Sequence, residues 1–188
     1  MEQKKNIWVW VVVGVIVVAV VVYLALTGGF TMPENQPAEG TPTEQGVVAA
    51  PGASPVTEEG VVLNTQGEEA KNDVQPGSPE APQQSNPIAA EEIPSSATKL
   101  TVSAQGFSPA EFTVSAGSAV TLSVTSGDTQ THIFMFDDPS LSAVAVGIGP
   151  GETRAITFNA PTTRGEYSFR CDVPGHAGRG EVGKMIVQ

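Results

Sequence analysis

The stretch Tyr167-Ser-Phe-Arg-Cys171-Asp-Val-Pro-Gly-His176 contains the only cysteine of the chain and one of its two histidines. Tyr167, Phe169 and Cys171 alternate with polar residues, the period of a strand with one buried face. The Cys171 sulfur therefore points the same way as two aromatic rings. A short Pro-Gly turn then presents His176 with little backbone freedom, since proline presets φ and glycine accepts turn conformations. The other histidine, His132, opens a second apolar run, Ile133-Phe-Met-Phe136. A thiolate with two imidazoles is the donor set of a mononuclear copper electron-transfer centre, commonly completed by a weak axial contact. Each residue alone has an ordinary reading: an inert buried cysteine, a surface His176, a core His132. With a carboxylate added, the same set also holds zinc tetrahedrally.

Residues 97–188 carry short β-favouring runs at 99–104, 111–114, 119–125, 132–136, 154–159, 166–171 and 183–188. Many alternate with period two, as in Val120/Leu122/Val124 and Ile156/Phe158. Turn signals separate them, among them Ala116-Gly117, Ser126-Gly-Asp128 and Gly149-Pro-Gly151. Strands at this density with no amphipathic helical pattern predict an all-β, Greek-key β-sandwich.

This region resembles the cupredoxins, the small blue-copper proteins. The resemblance is carried by Tyr167 through His176-Ala-Gly and by Gly183-Lys-Met-Ile-Val187. Gly106-Phe-Ser-Pro109, Phe112-Thr-Val-Ser-Ala-Gly117 and Gly149-Pro-Gly-Glu152 with Ile156-Thr-Phe158 extend it. It implies that His132, Cys171 and His176 bind one copper ion cycling between Cu(I) and Cu(II). Two positions depart from the family pattern. Relatives with a loop of this length commonly place an axial methionine two residues before the strand-opening glycine, and counting back from Gly183 that position is Glu181. The axial position is open between Glu181, Met185 in the last strand, and no strong donor; Glu181 also has a bland reading as a loop acid paired with Arg179 or Lys184. In addition, Ile133 stands where many relatives have an asparagine that ties the ligand loops together.

The rest of the chain has different physics. Residues 7–26 are twenty uncharged, nearly all apolar residues, preceded by Lys4 and Lys5. As a helix at about 1.5 Å per residue they span roughly 30 Å, the thickness of a bilayer core. The basic flank predicts a cytoplasmic N-terminus and an extracytoplasmic C-terminus. A cleaved signal peptide is the alternative, although its apolar region is commonly only about 7–15 residues long. Residues 31–96 hold eleven acids against one lysine, ten of the fifteen prolines and no aromatic residue. That composition predicts a disordered tether. The expected organisation is thus residues 1–6 in the cytoplasm, a transmembrane helix over 7–27, a linker over 28–96 and a copper-binding domain over 97–188.

The net charge of −11 resides mainly in that middle segment, and no basic patch suggests a nucleic-acid partner. A single cysteine excludes an internal disulfide. The expectation is a monomeric carrier of single electrons, held at the cell membrane by one N-terminal span and meeting a redox protein partner. Alternatives are a copper-delivery protein of the envelope, or a mononuclear copper or zinc enzyme with Glu181 as ligand or base.

Overall fold

The computed structural model describes residues 47–188, so the expected cytoplasmic stretch 1–6, the span 7–27 and the first part of the expected linker lie outside the described residues. Among the described residues no helix is long and apolar enough to cross a membrane. The strands are β1 Thr98–Ser103, β2 Gly106–Ser108, β3 Glu111–Val114, β4 Ala119–Ser126, β5 His132–Phe136, β6 Ala145–Ile148, β7 Thr153–Asn159, β8 Gly165–Cys171 and β9 Val182–Val187. They form two sheets, ordered β2-β1-β4-β7 and β3-β9-β8-β5-β6. β1 runs parallel to β4 and β3 parallel to β9, while the other neighbours are antiparallel.

The all-β sandwich matches the alternation in the sequence. Val120, Leu122 and Val124 of β4 and Ile156 and Phe158 of β7 face Phe134, Phe136 and Phe169 of the opposite sheet across one buried core. Phe107, Phe134 and Phe169 meet edge-on or tilted with centroids 5.0–6.0 Å apart, a geometry that aligns ring edges with ring faces. β2 and β6 were not among the expected strands. β2 is three residues long, and β6 is an edge strand that includes Gly147 and pairs only with β5, so neither has the length or composition of a recognisable strand.

The expected disordered linker is corrected over residues 47–96, which lie ordered along the outer face and edge of the β4–β7 sheet. They also lie against Ser142, Ala143 and Gly147 around the start of β6. Ser85 and Ile88 donate backbone hydrogen bonds to Ala155 and Thr153 of β7, and Gln84 bridges to Ile156. The segment therefore continues the sheet beyond β7. Thr121 Oγ1 reaches the Val48 carbonyl at 3.3 Å, and Ala50 and Ile93 are buried against Ala155. This is why β4 and β7 are buried on both faces: Thr121, Ser123 and Thr157 are no more than 2% exposed. Composition pointed to disorder because the segment has no core of its own. It is ordered instead by docking small residues on a flat sheet face and pairing its polar groups. Asn159 Oδ1 accepts from the Val62 amide at 3.0 Å, and Asn72 Nδ2 donates to the Asn159 carbonyl at 2.7 Å.

Candidate metal centre

His132 begins β5 and Cys171 ends β8, and the antiparallel register sets Phe134 opposite Cys171. Strand alternation then turns His132, Phe134 and Cys171 to the same inner face. The two strands are held together beside the site by backbone groups. The Ile133 carbonyl accepts from the Asp172 amide at 2.8 Å, and the Ile133 amide donates to Cys171 Sγ at 3.4 Å. Ile133 thus joins the two ligand strands through its main chain, with no hydrogen bond from its own side chain.

Beyond Cys171 the chain turns back through His176, whose amide donates to the Val173 carbonyl at 3.0 Å. A single 3-10 turn, Ala177–Arg179, ends at Gly180 with φ +106°, a left-handed conformation that a side chain disfavours. That reversal aims Glu181 inward, and its carbonyl receives the Cys171 amide at 2.9 Å. Gly183 follows where a Cβ would collide with the Ala110 carbonyl and the Phe169 ring, so β9 lies closer to its neighbours than any other residue permits.

Four donors converge as a result. Cys171, His176, His132 and Glu181 each offer one atom, all within 4.8 Å of one another, and all four residues are buried. Glu181 Oε2 lies 2.9 Å from Nδ1 of both His132 and His176. Cys171 Sγ is 3.5 Å from His176 Nδ1 and 3.8 Å from His132 Nδ1. The structure thus brings together His132, Cys171, His176 and Glu181, and leaves the other axial candidate, Met185, elsewhere. His176 is the most exposed of the four, at 8%, beside half-buried Val173 and exposed Pro174.

The expected alternatives for the fourth position are separated by placement. Met185 is fully buried in the hydrophobic core and pairs with Tyr167 of β8 and Phe112 of β3. Tyr167 precedes Cys171 by four residues, which places Met185 roughly 13 Å along the strand at about 3.3 Å per residue. Glu181 does pair with Arg179, as its bland reading expected, but through the other oxygen: Arg179 Nη2 to Oε1 is 2.7 Å. Lys184 pairs instead with Glu166 and Glu111.

The electrostatics suit a cation. Burial pushes the Glu181 carboxyl up, but hydrogen bonds involving His132, Cys171, Arg179 and His176 outweigh it and hold the group below its ordinary value. Burial, aided by the nearby Glu181, pushes the Cys171 thiol up despite the Ile133 and Val173 amides. The thiolate therefore needs a positive partner to persist in this site. A carboxylate, a potential thiolate and two imidazole nitrogens aimed at one buried point fit a mononuclear metal with soft and borderline preference.

Sequence reasoning missed Asp128, reading it only as part of a turn. Its Oδ1 accepts from His132 Nε2 at 3.0 Å and from the Gln130 amide at 2.8 Å. These bonds, with the Ala104 amide on Oδ2, hold its pKa at about 2 rather than 3.8. The ionised carboxylate fixes a proton on His132 Nε2, so that Nδ1, which faces the centre, is the nitrogen that would give up its proton to a metal. An acid four residues before a ligand histidine, in a turn, was the available signal.

A carboxyl with a depressed folded pKa stabilises the fold above its unfolded pKa and loses that contribution as pH falls through the folded one. With chelator present, Asp128 is expected to contribute about 2 kcal/mol near neutral pH, lost progressively between about pH 5 and pH 1. Asp128→Asn is expected to lower stability near neutral pH and to flatten this acid slope. Urea denaturation at several pH values checks it; an unchanged slope refutes the assignment.

The family model described as a cupredoxin-like domain matches residues 81–187. Its start at 81 places the segment alongside β7 inside the domain, ahead of the boundary expected at 97. Reduced auracyanin from Roseiflexus castenholzii is 25% identical over 51% of this chain and 99% of its own, with a TM-score of 0.43. Auracyanin A from Chloroflexus aurantiacus, a blue copper protein, is 23% identical over 49% of this chain and 98% of its own, with a TM-score of 0.40. Amicyanin from Paracoccus versutus is 21% identical over 55% of this chain and 92% of its own, with a TM-score of 0.42. Among curated proteins there is no match.

Proposed function

The chain belongs to the cupredoxin-like domain family, and within that family we propose that it is a membrane-tethered, extracytoplasmic carrier of single electrons. One copper ion is held by His132 Nδ1, Cys171 Sγ, His176 Nδ1 and Glu181 Oε2. The observation that carries the reading is the convergence of these four buried donors within 4.8 Å. Bound there, copper supplies a one-electron couple between Cu(II) and Cu(I), filled by a reduced redox protein and emptied by an oxidised one.

The chain's own residues do the rest. Backbone bonds from Ile133, Asp172 and Cys171 fix the strand ends, so the donor positions change little between oxidation states and reorganisation stays small. Asp128 sets the His132 tautomer. His176, the least buried donor, and the neighbouring Val173 and Pro174 provide the face where a redox partner docks. Residues 7–27 hold the protein in the membrane with the domain outside the cytoplasm, a reading supported by the apolar run and its basic flank.

Loading the full-length chain in detergent with Cu(II) is expected to give an intense thiolate-to-copper band. A colourless protein that retains zinc through purification would favour a zinc enzyme instead. Alkaline carbonate extraction is expected to leave the chain in the membrane pellet, and its release would refute the anchor.

Glu181 distinguishes this centre from one completed by methionine. A hard anionic oxygen favours Cu(II) over Cu(I). Glu181→Met is therefore expected to raise the reduction potential by at least about 59 mV, the equivalent of a tenfold change in relative affinity for a one-electron couple. Spectroelectrochemical titration measures it. Unchanged potential and spectrum in both Glu181→Met and Glu181→Gln would make Glu181 a mere partner of Arg179.

A further inference from the structure

Glu181 does not face the centre unassisted. Its Oε1 accepts from Arg179 Nη2 at 2.7 Å, while Oε2 points at the two histidines. The same Arg179 nitrogen donates to Gln130 Oε1 at 3.2 Å. Gln130 is on the β4–β5 loop, which also carries Asp128, the partner of His132. A guanidinium thus joins the loop behind one ligand to the carboxylate of another. Glu181 is fully buried, whereas the Arg179 side chain is 41% exposed, so the cation sits at the mouth of the site with its charge directed inward.

We infer that Arg179 is a positioning residue: by capping Oε1 it leaves Glu181 a single free oxygen and offsets part of the negative charge delivered to the centre. The inference rests on Glu181 serving as the fourth donor. A carboxylate with both oxygens free can bind an ion through one or both, and guanidinium is the side chain suited to holding one of them in a fixed direction. Removing Arg179 frees the second oxygen and removes a nearby positive charge. Both changes favour the more highly charged Cu(II), so their effects on potential have the same sign.

The test uses the full-length chain and five variants: Arg179→Ala, Arg179→Lys, Glu181→Gln, the double variant Arg179→Ala/Glu181→Gln and, as a control, Arg164→Ala. Arg179→Ala is expected to shift the Cu(II)-to-Cu(I) affinity ratio about tenfold toward Cu(II), a fall in potential of about 59 mV for a one-electron couple. It is also expected to change the copper hyperfine splitting. Arg179→Lys is expected to recover part of the potential. In the Glu181→Gln background, loss of Arg179 is expected to shift the potential clearly less, leaving only the part due to the lost charge, because the carboxylate it positions is gone. Arg164→Ala removes an equal charge beside the start of β8, away from Cys171, and controls for net charge.

Equal shifts from Arg179→Ala in the wild-type and Glu181→Gln backgrounds would overturn the inference, as would an equal shift from Arg164→Ala. Co(II) substitution separates this result from the fate of the electron-carrier reading. The Co(II) ligand-field bands report the donor set whichever metal the cell supplies. If copper gives no thiolate band but Arg179→Ala alters the Co(II) bands, the carrier reading fails and the positioning role stands. Unaltered Co(II) bands sink the role itself. Should Arg179→Ala fold poorly, Gln130→Ala withdraws only the outer support of the guanidinium and is expected to give a smaller shift of the same sign; no shift there would count against the inference.

Discussion

Full-length protein carrying Cys171→Ser is expected to lose the intense visible band on Cu(II) loading and at least about 100-fold in copper affinity, while keeping its fold. The band requires a sulfur-to-metal charge transfer, and a serine hydroxyl is a hard, poorly ionised replacement for a thiolate. The fold should survive because the residue ends β8, and its backbone bond to the Glu181 carbonyl at 2.9 Å is independent of the side chain. The substituted hydroxyl lies where His132, His176 and Glu181 offer hydrogen-bond partners, limiting the cost of its burial to about 1 kcal/mol. Absorption spectroscopy, competitive copper titration and thermal melting check the three parts. A persistent intense band would remove Cys171 from the ligand set.

A chain beginning at residue 97 is expected to melt well below one beginning at residue 47, and to self-associate. The shorter chain exposes the β7 edge, where Ser85 and Ile88 otherwise donate to Ala155 and Thr153. It also uncovers a sheet face on which Ala155 and Thr157 are completely buried in the intact molecule. An unpaired edge next to a flat exposed face is a template for strand pairing between copies. Loss of the Ile93 side chain from its buried site alone removes about 1.5–3 kcal/mol of apolar stabilisation. Several buried hydrogen bonds add about 0.5–1.5 kcal/mol each, offset in part by the freedom the segment regains. Sedimentation velocity and melting of the two chains decide the matter. Equal melting points with a monodisperse shorter chain would reduce residues 47–96 to a passive covering.

What the sequence alone determined was whatever local pattern can encode. Alternation at Tyr167, Phe169 and Cys171 set the phase of β8, and the Pro-Gly turn placed His176 next to it. The count back from Gly183 that the family resemblance supplies offered Glu181 as one of three axial alternatives, and the structure buries it at the centre. These are relations between residues close in the chain, where backbone geometry fixes direction. The tertiary structure alone decided the rest. Asp128 and Arg179 acquire their roles only because the β4–β5 loop and the loop before β9 meet at one end of the sandwich, bringing Gln130 and Arg179 together across 49 positions of sequence. The order in residues 47–96 is likewise invisible to composition. Composition measures whether a segment can bury apolar surface in itself, and this one gains its order from a sheet face contributed by strands that follow it.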